Sequence, residues 1–155
     1  MCRAADVAMT MVNRSIALAH KTGNAGYYMD LVKLHKLLYL AQCYMLVNYG
    51  RPMFVEQITA HQCGPYVEGI HFVARKRGFD KITYPFSELD FVPPSYRRLE
   101  EIDAVLEGFG TWSTVELVQY TKETPAYSAV ADAITDEYKP LISQQSMLGL
   151  AVAAV

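Results

Sequence analysis

Val32-Lys33-Leu34-His35-Lys36-Leu37-Leu38-Tyr39-Leu40-Ala41-Gln42 leads into Tyr49-Gly50-Arg51-Pro52-Met53-Phe54 and then into His61-Gln62-Cys63-Gly64-Pro65-Tyr66-Val67. This stretch decides the fold: a long apolar helix, a Gly-Pro corner, a short extended segment and a second Gly-Pro corner. Asp30 is a suitable N-cap for a helix from Leu31 to about Val47. At helical spacing Leu31, Leu34, Leu38, Ala41 and Met45 form one stripe. The opposite side carries Val32, Leu40, Cys43 and Val47 beside only two charges, Lys33 and Lys36. A helix apolar most of the way round is either buried on most sides or shared with a partner. Lys33, Lys36 and Tyr39 are the side chains expected on whatever side stays exposed, with Tyr66 beside them at the second corner.

Working outward, residues Ala4 to His20 read as a first helix closed by Gly23, where a left-handed cap is wanted. Gly50 closes the second helix, and Pro52 prevents its continuation. Phe54 to Gln62 has the character of a strand. Pro65 suits a first helical position, so a third helix is expected from Pro65 to about Arg77, ending at Gly78. Phe79 to Phe86 offers a second extended segment, Ile82-Thr83-Tyr84, to pair with the first. Ser87 to Ser95 contains Pro93-Pro94 and reads as a loop. A fourth helix follows from Tyr96 to Glu107, stopped by Gly108 and Gly110. Ser113 and Glu116 have capping-box spacing at the head of a fifth helix, which runs to about Lys122. Pro125 opens a short sixth helix, and Lys139-Pro140 breaks the chain again. The expected fold class is mainly α (α+β): one compact helical domain over residues 1–142 with a small antiparallel hairpin or sheet, then an apolar tail over 143–155.

At 155 residues the chain suffices for one domain with a real core and is short for two. A net charge of -2 gives no broad electrostatic reason to bind nucleic acid. Three cysteines, an odd number, do not make a disulfide framework, so a reducing cytoplasm is the natural compartment. Arg3, Asp6 and Arg14 interrupt the N-terminus, which is not the pattern of a secretory signal. No apolar run reaches the roughly 18 residues that would span a bilayer.

Several constellations could carry chemistry. His61-x-Cys63, in a chain that also has His35, Cys43 and His71, is the metal candidate, but a second ligand pair is missing. Cys63, set before the expected helix start at Gly64-Pro65, is the thiol candidate, without an orienting residue or oxyanion motif. Arg75-Lys76-Arg77 and Arg97-Arg98 are short basic runs that would touch phosphate or simply face solvent, and no helix-turn-helix pattern accompanies them. Eleven tyrosines, several clustered around the second helix, read equally as an interface or as a core rim. The end of the chain, Leu150-Ala151-Val152-Ala153-Ala154-Val155, is similar to tails read by ClpX-type proteases, or is simply a docked or frayed end.

The opening stretch resembles a known family, the SocA-like or Panacea antitoxin domain, related to phage-associated GepA-like proteins. Leu34, Lys36, Leu37, Leu38, Tyr39, Ala41 and Gln42 match its helix motif. Gly50, Pro52 and Phe54 match its first corner, and Gly64, Pro65 and Val67 its second. The likeness runs over about residues 4 to 142 and is densest from Leu34 to Val67. His61 stands where the family commonly has Trp, and Tyr66 where Val is usual. The later Leu, His, Pro-Trp pattern appears here as Leu117, Thr121 and Pro125-Ala126, so the family's His is absent. The resemblance implies a non-enzymatic antitoxin that neutralises a cognate protein toxin by binding it; no cofactor and no metal are expected. It also implies, as a variant, an adaptor that delivers the toxin to a ClpX-type protease. The toxin-contact candidates are Lys33, Lys36, Tyr39 and Tyr66. Two other classes compete: a DNA-binding autoregulator, and a small metal- or thiol-dependent protein using His61 and Cys63.

Overall fold

Asp30 opens the central helix as its sequence position requires. Its Oδ1 accepts the Lys33 N–H at 2.8 Å and its Oδ2 accepts the Thr114 hydroxyl, also at 2.8 Å. The structure, a computed structural model, describes residues 2–78 and 80–149. Helix α1 spans Ala4–Thr22 and α2 spans Leu31–Tyr49, each closed by a left-handed glycine, Gly23 and Gly50. A helical turn, Ala25–Tyr27, joins them. Two strands follow, β1 Ile58–His61 and β2 Gly64–Val67, and then α3 His71–Arg77. Helices α4 Tyr96–Phe109, α5 Thr114–Lys122 and α6 Pro125–Ser128 come next. A short strand β3, Leu141–Ile142, and a helical turn α7, Gln144–Met147, end the described chain.

α2 is the axis of the molecule. It packs against α1, α4, α5, α7 and β2, and every residue from Lys33 to Cys43 is buried. The choice between burial and sharing therefore resolves mostly toward burial: the domain wraps its own apolar helix. Lys33, Lys36 and Tyr39 are not on an exposed side, as the sequence suggested. Lys33 and Lys36 are each only 3% exposed, and Tyr39 is fully buried. The reason is that β2 and the end of α5 close over Lys36 and Tyr39, while Lys33 reaches inward to the carbonyls of Gly26 and Gly110. Of the apolar residues on that opposite face, Val32 alone is exposed, at 38%.

The corner after α2 is held by one side chain. Gln42 Oε1 accepts the N–H of Met53 at 2.6 Å and of Phe54 at 3.3 Å, while its Nε2 donates to the Phe54 carbonyl at 3.3 Å. Arg98 adds donors from α4, to the Met53 carbonyl at 2.9 Å and the Pro52 carbonyl at 3.1 Å. Met53 and Phe54 are thereby locked into the core.

Three expectations need correction. No helix starts at Pro65: Gly64–Val67 is a strand, paired antiparallel with β1 from His61↔Gly64 to Ile58↔Val67, and the third helix begins only at His71. Gly64 has φ +108, a backbone that turns the chain back rather than into a helix, and Pro65 sits on an edge strand, where its missing N–H costs nothing. Nor does Ile82-Thr83-Tyr84 pair with β1. Ile82 forms an isolated bridge to Met29, and the third strand of the β2-β1-β3 sheet is Leu141–Ile142. Finally, Gly108 does not stop α4, which continues to Phe109. The Ser113–Glu116 capping box and the proline-led α6 form as expected. Met147 of α7 reaches the core, whereas the Leu150–Val155 tail lies outside the described residues.

Candidate functional site

β2 is an edge strand, and its outward backbone groups need partners. α2 supplies them. Val67 donates its N–H to His35 Nδ1 at 2.9 Å, and the Pro65 carbonyl accepts from Lys36 Nζ at 3.1 Å. Two consecutive residues of one helix thus seal the strand. Because Nδ1 accepts, His35 is the neutral Nε2–H tautomer. Burial, with the Lys36 charge beside it, pushes His35 down to about 3.

Tyr66 lies between two imidazoles. Its ring stacks on His35 at 4.2 Å between centroids and on His61 at 4.4 Å. The His61 ring is itself held by a relay. Thr59 Oγ1 donates to Glu68 Oε1 at 3.1 Å, so it accepts from His61 Nε2, also at 3.1 Å. The His61 carbonyl accepts the Tyr127 hydroxyl at 2.5 Å. Burial, followed by the Lys139 charge, lowers the His61 pKa.

Beside this stack lies a groove of about 410 Å³, bounded by Leu31, Val32 and Lys36 of α2, by the His61–Cys63 turn with Tyr66, and by Asp136 and Lys139. Its size lies within the range of ligand-binding clefts. Next to the groove, Gly64 packs closely on Lys36: a Cβ there would stand 3.0 Å from Lys36 Cε and 3.3 Å from Thr121 Oγ1. Lys36 therefore runs beneath the turn, and burial lowers its pKa to about 8.

The four residues singled out from the sequence divide between two roles. Lys36 and Tyr66 line the groove. Lys33 does not: its Nζ donates to the Gly26 carbonyl at 2.8 Å and the Gly110 carbonyl at 2.7 Å, tying α2 to the turn before it and to the end of α4. Tyr39 is likewise internal, its hydroxyl 2.7 Å from Thr124 Oγ1. Thr124 spends its own proton on the Thr121 carbonyl, so Tyr39 is the donor. Asp136 and Lys139 were missed, because nothing in their spacing announces that the segment before β3 folds back over the hairpin.

Cys63 does not stand at a helix start; it is exposed in the β1–β2 turn. Cys43 is buried, which pushes its thiol up to about 12. Among the described residues no group of three His, Cys, Asp or Glu could hold a metal ion. The basic runs are partly committed to structure. Arg77 donates to the Tyr84 and Pro85 carbonyls and lies 3.9 Å from the Tyr84 ring centroid, and Arg98 holds the corner after α2. No described helix is long and apolar enough to cross a membrane.

The family model for "Antitoxin SocA-like, Panacea domain" matches residues 34–127, more than half of the chain. No curated protein and no solved structure matches it.

Proposed function

The chain belongs to the SocA-like antitoxin, Panacea-domain family, and from that premise we propose that it is a cytoplasmic antitoxin that neutralises a co-encoded toxin by binding it directly. The observation that carries the reading is Val32. On a helix otherwise buried from Lys33 to Cys43, this one exposed large apolar side chain opens onto the groove beside the His35–Tyr66–His61 stack. The half-buried tyrosine beside it supplies the aromatic contact area that interface centres favour, and Val32 extends that apolar surface. The frame is rigid because both α2 and the hairpin are tied by buried hydrogen bonds.

In this reading the protein performs no chemistry. It presents the groove, and the toxin's active surface is occluded when the two bind. Lys33 and Tyr39 support the docking face from inside rather than touching the toxin. The test is co-expression with the toxic product of the adjacent gene. Restored growth together with a co-purifying complex supports the reading, and the absence of both ends it.

A further inference from the structure

Lys33 and Lys36 are both buried lysines of α2, yet only one of them is spent. Lys33 gives two donors to carbonyls at 2.8 Å and 2.7 Å. Lys36, with three N–H donors on its ammonium, gives one to the Pro65 carbonyl, its only hydrogen bond among the described residues. No carboxylate pairs with it either: the ion pairs among the described residues are Arg3–Asp6 and Arg14–Asp103. The Asp30 carboxylate accepts the Lys33 N–H and the Thr114 hydroxyl; its charge favours the Lys36 ammonium from a distance without an ion pair. A buried ammonium with unused donors is costly unless a partner arrives.

The setting selects that partner's charge. Lys36 and Lys139 line the groove with a single carboxylate, Asp136. Asp136 is exposed, whereas Lys36 is 3% exposed, so the buried charged group among them is the cation. Beside it are Leu31, Val32 and the ring of Tyr66.

We propose that this groove takes a carboxylate side chain of the partner protein, hydrogen-bonded to Lys36 Nζ, with an adjoining apolar side chain against Leu31, Val32 and Tyr66. This rests on the antitoxin reading and adds to it the chemistry of the toxin's contact. An acidic residue next to an aliphatic one satisfies both halves of the site: the charge completes the Lys36 shell away from water, and the aliphatic group covers Val32.

Two measurements on the full-length protein test this. Amide NMR spectra are recorded during titration with N-acetyl-leucine and with N-acetyl-leucinamide, which differ at the carboxylate. Saturable shifts at Val32, Gly64 and Tyr66 with the acid and none with the amide are expected; equal shifts with both, or none with either, overturn the proposal. Separately, the affinity for the purified toxin is compared among wild type, Lys36→Met and Lys36→Arg, with thermal unfolding as the control for folding. Loss of about 10- to 100-fold in Lys36→Met and substantial recovery in Lys36→Arg are expected for a charged hydrogen bond. If Lys36→Met binds as wild type while Val32→Glu does not, the carboxylate seat is wrong and the antitoxin reading stands. If the wild type binds no toxin, the antitoxin reading falls and takes the proposed partner with it. If N-acetyl-leucine binds but the toxin does not displace it, the groove belongs to a free carboxylate and the proposal is overturned.

Discussion

His35 Nδ1 accepts the Val67 N–H at 2.9 Å, joining the central helix to the edge strand through a buried imidazole that must stay neutral to do so. Protonation would place an N–H against an N–H, remove the acceptor and bury a charge next to Lys36. The bond also blocks the outer edge of β2 against pairing with another chain.

Stability should therefore depend on pH through His35. Its folded pKa, about 3, lies below the ordinary histidine value of 6.5, so the unfolded chain binds the proton more readily than the native one. The stabilisation is complete above about pH 6.5 and is lost as pH falls toward 3. At pH 5 the difference is on the order of 2 kcal/mol. Urea unfolding from pH 7 to pH 4.5 will show this slope, and His35→Gln, whose amide oxygen accepts the same N–H without titrating, will flatten it.

Lys33 is a structural tie. Replacing it with methionine leaves the Gly26 and Gly110 carbonyls without their donor, at a cost of about 2–4 kcal/mol. The urea midpoint of Lys33→Met will fall with little change in m. Toxin affinity, measured well below the new midpoint, will stay near the wild-type value, because the side chain is 3% exposed and away from the groove.

Gln42 makes its contribution in the corner that follows α2. Gln42→Leu removes the acceptor for two backbone N–H groups and the donor to the Phe54 carbonyl, which will lower stability by about 2–4 kcal/mol. Hydrogen exchange at Met53 and Phe54 will accelerate more than exchange within α1. Uniform acceleration across the core would mean that the corner is not the local consequence of this side chain.

The sequence made α2 legible because Asp30, the dense apolar count and Gly50 all agree on one element, and the same holds for the Ser113–Glu116 box. Gly64-Pro65 misled because the pair suits a helix start as well as a tight hairpin. What decides is the pairing of His61 with Gly64, a contact that only exists once β1 has formed. The third strand was hidden for a different reason. Leu141–Ile142 is two residues long and pairs with residues some eighty positions earlier, leaving no local periodicity to read. Of the site, Lys36 and Tyr66 were visible through the motifs that contain them. Their conversion from surface residues to groove lining depended on how β2 and α5 close over α2.

Val32 offers the most direct test. Val32→Glu places a charge on an exposed position that makes no described hydrogen bond beyond its helix, so folding should be preserved, with a thermal midpoint close to that of wild type. The measurement is the dissociation constant of the purified variant for the purified toxin of the adjacent gene, beside wild type. A loss of about tenfold or more, with an unchanged unfolding midpoint, is what docking at this groove requires. Wild-type affinity in a fully folded Val32→Glu protein would show that the toxin is held elsewhere on the molecule.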